Sequence, residues 1–318
     1  MLSPTRLRRP CCPVTALETV FFIFEKVGIG IRLILLYRRS QEKRTWERSM
    51  QVRNTMQSSA KVRPPSPLGG SRDILPFLRT RAFEGFVFLV TLLLGILIAI
   101  YFNWNRKPKQ VRWILRFWSS CFIYGAKFIA GVNFRLEGLE NIPDEPVIFM
   151  GNHQTAWESI FMTVLIPDVN IVTKRAAMSI PVFGWGLKYA PMIVVAPETP
   201  GRNIRHLLKG GKASIREGRS IVIFPEGARV PIGETRPYAR GFETLYKHCN
   251  AKVVPFVTDA GLWWPSGFAT KHPGTITLRI LPPIEAGGNP EEFALKLERR
   301  VRTEADALMN VSTKPHQV

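Results

Sequence analysis

Cysteine is scarce in this sequence, and carboxylates are outnumbered by basic groups. The 318 residues include four cysteines and five histidines, and 24 Asp and Glu stand against 44 Lys and Arg. Four cysteines without a C-x-x-C pair supply neither a disulfide framework nor a cysteine-based metal site. The histidines lack the neighbouring ligand spacing of a metal centre, so we expect no metal and no other cofactor. The cysteine usage favours a reducing, cytoplasmic setting.

The deficit of carboxylates leaves a formal net charge of +20. Two kinds of anion attract such a protein, namely nucleic acids and the anionic cytoplasmic leaflet of a membrane. Residues 1–81 carry 16 Lys or Arg and five acidic residues, and they adjoin the most apolar stretch of the chain. No helix-turn-helix, zinc or RNA-binding signature is present. We therefore expect membrane lipids, and no nucleic acid, among the partners.

The first 80 residues are predicted to form a basic N-terminal extension that is partly disordered. Residues 37–75 are rich in Arg, Ser, Gln and Pro, a composition that buries too little apolar surface to stay ordered. Val20–Leu36 is apolar but interrupted by charges, which is typical of an interfacial helix. Met50 and Met56 are two alternative start positions for translation, so it stays open whether residues 1–80 belong to the native protein.

Residues 81–132 are predicted to form transmembrane and interfacial helices. The run Phe86–Phe102 is long and apolar enough for a membrane span, and basic residues on both sides leave its orientation undecided. Val111–Val132 follows as an amphipathic helix with an aromatic stripe. That stripe either packs on the next domain or lies in the lipid interface.

Residues 133–318 are predicted to form the main folded domain. Short β-rich runs alternate there with helical patterns, which indicates an α/β fold with a mostly parallel sheet flanked by helices. Active residues of such folds lie in loops beyond the strand ends. Asn289 caps the last helix and Pro290 fits its first turn. The predicted strands are Val147–Met150, Ile171–Thr173, Met192–Val195, Ile221–Phe224, Lys252–Val257 and Thr275–Leu281.

Two short segments carry the candidate chemistry. His153 follows the first apolar strand, and Glu158 can fix its tautomer if the chain turns between them, since the two do not share a face of an ideal helix. Phe224 is followed by Pro225-Glu226-Gly227-Ala228-Arg229, a turn at a strand end in which Arg229 offers a fork for phosphate. Gly227 is predicted to be conformational.

These segments resemble two motifs of the PlsC-like glycerolipid acyltransferases, the lysophosphatidic acid acyltransferase family. His153 to Glu158 is similar to their H-x4-D/E motif, and Phe224 to Arg229 to their FPEG-T/S-R motif. The segment from Lys174 to Trp185 and Val254-Pro255-Phe256 resemble two further blocks in the same order. An ordered combination is far more specific than one motif. The resemblance covers about residues 134–281 and implies that residues 133–318 are the acyltransferase catalytic domain.

The resemblance implies roles for six residues. His153 acts as the base on the sn-2 hydroxyl of lysophosphatidic acid, and Glu158 holds its ring. The substrate-binding candidates are Lys174, Glu226, Gly227 and Arg229. Glu226 repels phosphate, so its role is left open between the acceptor site, orientation of Arg229 and a glycerol hydroxyl.

Three positions depart from the family pattern: Glu158 where Asp is commoner, Ala228 where Thr or Ser is usual, and Ala196-Pro197 where many members have an acidic residue and Arg. The last departure leaves Arg202 or Lys174 to meet the acceptor phosphate. It therefore keeps other acceptors open, namely glycerol 3-phosphate, another lysophospholipid or a lyso-aminolipid. The first two departures leave open a non-catalytic membrane scaffold. The retention of His153, Glu158 and Arg229 argues against this alternative.

The expected reaction is acyl transfer from acyl-ACP or acyl-CoA to lysophosphatidic acid, which gives phosphatidic acid for phospholipid biosynthesis. The expected place is a bacterial inner (cytoplasmic) membrane, with the catalytic domain facing the cytoplasm.

Overall fold

The computed structural model describes residues 74–104, 108–179, 184, 187, 189–190, 192–195, 200–239, 241–265, 267 and 269–312. The predicted interfacial helix at Val20–Leu36 and nearly all of the predicted linker lie outside these residues. The described α-helices are α1 Ile74–Trp104, α2 Pro108–Gly125, α3 Trp157–Leu165, α4 Pro200–Arg216, α5 Phe242–Cys249 and α6 Pro290–Ser312. The strands are β1 Val132–Glu137, β2 Ile148–Gly151, β3 Asn170–Lys174, β4 Ile193–Val195, β5 Ile221–Ile223, β6 Val253–Thr258 and β7 Gly274–Ile280.

The strands form one seven-stranded sheet in the order β1-β7-β6-β2-β5-β3-β4. Every neighbouring pair is parallel except β6 and β7, which run antiparallel. The predicted mostly parallel sheet is therefore confirmed. In the middle, β2 pairs with β5 on one side and with β6 on the other. All residues of β2, β5 and β6 are buried, as expected for continuous apolar runs in a sheet covered on both faces.

Successive β2 side chains point to opposite faces of the sheet. Ile148 and Met150 join a core cluster with the apolar sides of α4, α5 and α6, including Leu207, Leu245 and Leu297. Helix α3 contributes a separate aromatic group, in which the rings of Trp157 and Phe161 stack at 4.5 Å and Phe161 lies 5.0 Å from Phe134 of β1.

The observed strands β2 to β7 lie within two residues of their predicted bounds, but β1 is missing from the prediction. Its sequence Val-Asn-Phe-Arg-Leu-Glu alternates apolar and polar residues, which is the pattern of a half-buried strand. The predicted helix Val111–Val132 includes its first residue. The helix instead passes into a π-helical turn at Ala126–Ala130 and ends at Gly131, which has φ 76°.

Helix α1 is long and apolar enough to cross a membrane by length and composition, since the segment Ile74–Ile98 contains an 18-residue stretch with a mean hydropathy of 2.1. It begins at Ile74 and so takes in the end of the segment assigned to the N-terminal extension. The polar side of its first turns is held to the domain, where Thr80 Oγ1 accepts the Lys271 N–H and Glu84 lies 3.5 Å from Lys271 Nζ.

The aromatic stripe of α2 stays largely outside the packed interior. Trp113 is 47% exposed and Phe128 is 76% exposed, whereas Val111, Ile123 and other residues of the same segment are buried. A different side of the helix therefore packs on the domain, while Trp113 and, in the π-helical turn that follows, Phe128 stay outside this packing.

The predicted start of the last helix is confirmed. Asn289 Oδ1 accepts the N–H groups of Glu291 at 2.9 Å and Glu292 at 3.1 Å, which would otherwise lack partners at the helix N-terminus.

The packing of α4 on α5 depends on a missing side chain at Gly211. A Cβ there would lie 2.6 Å from Cδ2 of the fully buried Leu245 and 3.1 Å from Sγ of Cys249. For Gly211→Ala, overpacking costs about 1–3 kcal/mol, and the higher helix propensity of Ala returns about 1 kcal/mol. We therefore expect a lower melting temperature of the detergent-solubilised protein, followed by circular dichroism.

Gly201→Ala is the matched control, because it lies in the same helix and a Cβ at this position would meet no other atom within 4 Å. We expect no loss of thermal stability from this change. An equal melting temperature for the two variants would contradict the close approach of α4 and α5.

Candidate active site

The site forms where two neighbouring parallel strands end. Met150 of β2 is in register with Ile223 of β5, so the chain leaves both strands at the same edge of the sheet. The segment 152–156 follows β2, and the segment 224–229 follows β5. Loops beyond the carboxyl ends of parallel strands are the usual place for ligands in such sheets. The sheet thus brings together two motifs that lie far apart in the sequence.

The carboxylate of Glu158 organises the first of these loops. Glu158 lies in the first turn of α3 and is fully buried. Its Oε1 accepts the N–H groups of Gln154 at 2.7 Å and Thr155 at 2.6 Å, and its Oε2 accepts the Thr155 hydroxyl at 2.5 Å. A buried charge is tolerated only with such partners, and the helix N-terminus adds a favourable dipole. The loop is therefore wrapped around a carboxylate.

The same carboxylate holds the ring of His153. Nδ1 of His153 lies 2.8 Å from Oε1 of Glu158. With the proton on Nδ1, the lone pair is on Nε2, which is the atom able to take a proton from a substrate. The ring also stacks on Phe224, with centroids 4.1 Å apart and an interplanar angle of 21°. The chain therefore turns between His153 and Glu158, as the proposed pairing of these two residues requires.

The backbone of His153 is held by the second loop. Its N–H donates to Oε2 of Glu226 at 2.8 Å, and its carbonyl accepts the N–H of Val230 at 2.7 Å. These bonds join the two loops at the residue that carries the imidazole. Glu226 therefore contacts the histidine loop.

Glu226 is an unusual carboxyl. Its pKa is raised from 4.5 to about 7, chiefly because the group is buried; the negative charge of Glu158 also raises the pKa, while the bond from the His153 N–H and the charges of Arg302 and Arg236 lower it. The group is therefore about half protonated near neutral pH.

Gly227 and its neighbours shape the second loop. Gly227 has φ 65°, a left-handed conformation that favours glycine, and its N–H donates to the carbonyl of Phe224 at 3.0 Å. The carbonyl of Pro225 accepts the N–H of Ala239 at 2.7 Å. These contacts agree with a conformational role for Gly227.

A cavity of about 1210 Å³ opens beside these loops. Four of the six candidate residues line it: His153, Lys174, Gly227 and Arg229. Glu158 and Glu226 lie behind this lining and contact His153. Lys174 and Arg229 are both exposed, which leaves their charges accessible to an anion. The cavity thus has cationic groups and an imidazole in its lining.

The remaining lining of the cavity is mostly apolar and includes helices that the sequence assigned to the membrane. Leu115 and Trp118 of α2 and Thr91 of α1 line it, together with Leu187 and Leu207. The indole Nε1 of Trp118 donates to Thr91 Oγ1 at 2.8 Å. The sequence carries no motif for these lining residues, because their role depends on how α1 and α2 pack on the domain.

Several candidates cannot be placed at the cavity. Ala196-Pro197 and the side chain of Arg202 lie outside the described part of the chain. Among the described residues, no group of three or more His, Cys, Asp or Glu could hold a metal ion. The sequence reasoning also missed Phe224 as the stacking partner of His153 and Thr155 as a donor to Glu158, although both lie within the motifs.

Comparison with known proteins identifies relatives of this chain. The Acyltransferase family model matches residues 133–259. A 1-acyl-sn-glycerol-3-phosphate acyltransferase of Pseudomonas aeruginosa is 31% identical over 191 residues, which cover 60% of this chain and 74% of that protein. The enzyme of the same name from Saccharomyces cerevisiae is 23% identical over 227 residues, 70% of this chain and 74% of its own length.

A similar fold occurs in the crystal structure of the 1-acyl-sn-glycerophosphate acyltransferase PlsC from Thermotoga maritima. The TM-score is 0.61 at 19% identity, and the match covers 75% of this chain and 98% of that one. At this identity the likeness concerns the fold. Together with the extent and identity of the Pseudomonas match, it leads to one conclusion: the chain belongs to the 1-acyl-sn-glycerol-3-phosphate acyltransferase family.

Proposed function

We propose that the protein transfers a fatty acyl group from acyl-ACP or acyl-CoA to the sn-2 hydroxyl of lysophosphatidic acid, which gives phosphatidic acid. The observation that carries the proposal is the imidazole of His153, held by buried Glu158 at the wall of a cavity that also presents Lys174 and Arg229. Apolar walls suit acyl chains, and the two cations suit a phosphate.

In the proposed reaction, Nε2 of His153 takes the proton of the sn-2 hydroxyl as its oxygen attacks the thioester carbonyl. A new ester C–O bond forms and the C–S bond breaks. The imidazolium then returns the proton to the departing thiolate, so that the free thiol leaves and the base is restored. Glu158 fixes the tautomer of the neutral imidazole and stabilises the imidazolium that forms, as the carboxylate does in other carboxylate-histidine pairs.

Glu226 is proposed to position His153 within the site. Its contact with the His153 N–H keeps the loop in place, and its half-protonated state near neutral pH reduces repulsion of a nearby phosphate. In this role Glu226 does not bind the phosphate of the substrate, which a carboxylate would repel.

The proposed place of action is the cytoplasmic side of a bacterial inner membrane. The exposed apolar surface of α1 and α2 and the +20 charge support association with an anionic bilayer. The scarcity of cysteine agrees with a reducing compartment.

Removal of the base is the first test. We expect His153→Ala to reduce phosphatidate formation by roughly 10²–10⁴-fold, the usual contribution of a general base. Membranes containing each protein are supplied with lysophosphatidic acid and with both thioester donors, and the product is quantified. His248→Ala serves as the control, because His248 is exposed on α5 and does not line the cavity.

Full activity of His153→Ala would overturn the mechanism. A wild-type protein that ignores lysophosphatidic acid but acylates another lysolipid would retain the mechanism and change the acceptor.

The phosphate assignment of Arg229 predicts a selective effect. We expect Arg229→Ala to raise KM for lysophosphatidic acid by about tenfold to a hundredfold, because a charge-assisted bond is lost, and to leave KM for a monoacylglycerol unchanged. Arg175→Ala is the control, since Arg175 is exposed next to Lys174 but does not line the cavity. Equal increases for both acceptors would show that Arg229 does not bind the phosphate.

The raised pKa of Glu226 predicts a pH-dependent stability. Folding favours the protonated form of Glu226. Below about pH 4.5 the carboxyl is protonated in both the folded and the unfolded state and has no effect on stability. As the pH rises from about 4.5 to about 7, the carboxyl increasingly destabilises the folded protein. We therefore expect Glu226→Gln to gain thermal stability relative to wild type across this window, by about 1–3 kcal/mol at its upper end after allowance for partial solvation.

The measurement is the melting temperature of both proteins at a series of pH values. Glu234→Gln, an exposed change in the segment after the same loop, controls for the loss of one negative charge. A difference between Glu226→Gln and wild type that stays constant with pH would contradict the raised pKa.

A further inference from the structure

Helix α4 carries a row of basic side chains that the proposed reaction does not use. We call Arg205, Lys209, Lys212 and Arg216 the basic stripe; all four are exposed. At 100° per residue they fall within an arc of about 60° on one side of the helix. The helix sequence contains no acidic residue. One side of α4 is therefore a continuous strip of positive charge.

The basic stripe lacks carboxylate partners among the described residues. No ion pair there involves any of its four members, and the first carboxylate after the helix, Glu217, lies 3.5 Å from Arg219 instead. Neighbouring members are three or four residues apart, a spacing at which like charges repel and weaken a helix. The repulsion among the four positive charges destabilises α4, and an anion bound to the basic stripe would relieve it.

The other side of α4 is not free to enter lipid. Leu207 and Ser214 are buried, and Gly211 lies against Leu245 and Cys249. An interfacial membrane helix inserts its apolar side into the bilayer, but here that side forms part of the core. Most of the large exposed apolar side chains lie on α1. Two others are Trp113 on α2 and Phe128 in the π-helical turn that follows α2. The basic stripe therefore offers charge without an apolar anchor, which fits an acidic protein surface better than a membrane.

The basic stripe begins beside the cavity. Asn203, Ile204 and Leu207 in the first turns of α4 line the cavity that contains His153. Arg205 lies between these lining residues in the sequence, and the stripe continues from it toward the end of the helix. A partner on the stripe would sit next to the space in which the proposed reaction takes place.

We propose that the basic stripe is the docking surface for an acidic acyl carrier protein that delivers the acyl thioester into the cavity. This inference rests on the proposed function in its choice of donor. The acidic surface of the carrier supplies the carboxylates that the stripe lacks, and complementary charge accelerates and orients the encounter. Acyl-CoA has no such protein surface, and the few phosphates of its nucleotide are too small a group to contact all four residues of the stripe, so it depends on the stripe much less.

Charge reversal tests the proposal. Lys209→Glu combined with Lys212→Glu places carboxylates four residues from Arg205 and Arg216, which favours the helix and keeps the fold. We expect KM for palmitoyl-acyl carrier protein to rise on the order of tenfold or more at low salt, with the difference from wild type shrinking as salt screens it. KM for palmitoyl-CoA should change by much less than KM for the palmitoyl-acyl carrier protein.

Lys296→Glu combined with Arg299→Glu is the matched control. Both residues are exposed on α6, and the change in net charge is the same. Binding of fluorescently labelled acyl carrier protein to each detergent-solubilised variant is measured by anisotropy, and sedimentation with anionic vesicles is measured in parallel. We expect only the stripe variant to lose carrier binding and both to retain vesicle binding.

The outcomes separate this inference from the proposed function. Carrier binding that is unchanged in the stripe variant, or equally weakened in the control, overturns the docking surface, and loss of vesicle binding instead assigns the stripe to lipid headgroups. A wild type that uses palmitoyl-CoA but binds no carrier refutes the docking surface and retains the acyltransferase. Stripe-dependent carrier binding without acyl transfer from either donor retains the docking surface and refutes the proposed function.

Discussion

The buried carboxylate of Glu158 is the interaction on which the rest of the site depends. A fully buried negative charge is strongly unfavourable unless donors surround it, and here two backbone N–H groups, a hydroxyl and an imidazole do so. All of them come from the three residues 153–155, so satisfying the charge bends the chain that precedes α3. The bend and the placement of the imidazole therefore have one cause. The same bend explains how His153 and Glu158 meet although they are five residues apart and would lie on different faces of an ideal helix.

The parallel sheet supplies the second constraint. Because β2 and β5 are neighbours in register, the loop that contains Glu226 and Val230 ends beside His153 and binds both sides of its peptide backbone. The imidazole is thus held at its ring by one loop and at its backbone by another. Such double restraint keeps a base in one geometry, which general base catalysis requires. A change at Glu158 or Glu226, neither of which lines the cavity, therefore still reaches His153.

The sequence was informative where a local pattern decides the structure. Continuous apolar runs located β2 and β5, and the cap at Asn289 located the start of α6, since each depends on neighbours within a few residues. The candidate residues His153, Lys174, Gly227 and Arg229 were predicted from motifs, and the structure brings them to one cavity. The contact of Glu226 with His153 was not predictable, because it depends on the order of strands in the sheet. β1 was missed for a different reason, since its alternating pattern was legible but was partly assigned to the preceding helix.

The attachment of α1 links the apolar surface to this site. The ammonium of Lys271 is almost completely buried, where it donates to the carbonyl of Ala269 at 2.8 Å and lies 3.5 Å from Glu84 of α1. A shift of α1 that removed Glu84 would leave this ammonium buried with fewer partners, so the pair couples the position of α1 to the segment that contains Lys271. Farther along the same helix, Thr91 bonds Trp118 at the cavity wall, while other side chains of α1 face outward. One helix therefore contributes both to the outer apolar surface and to the wall of the reaction cavity. Whatever depth α1 takes in a bilayer also sets the depth of the cavity and of His153.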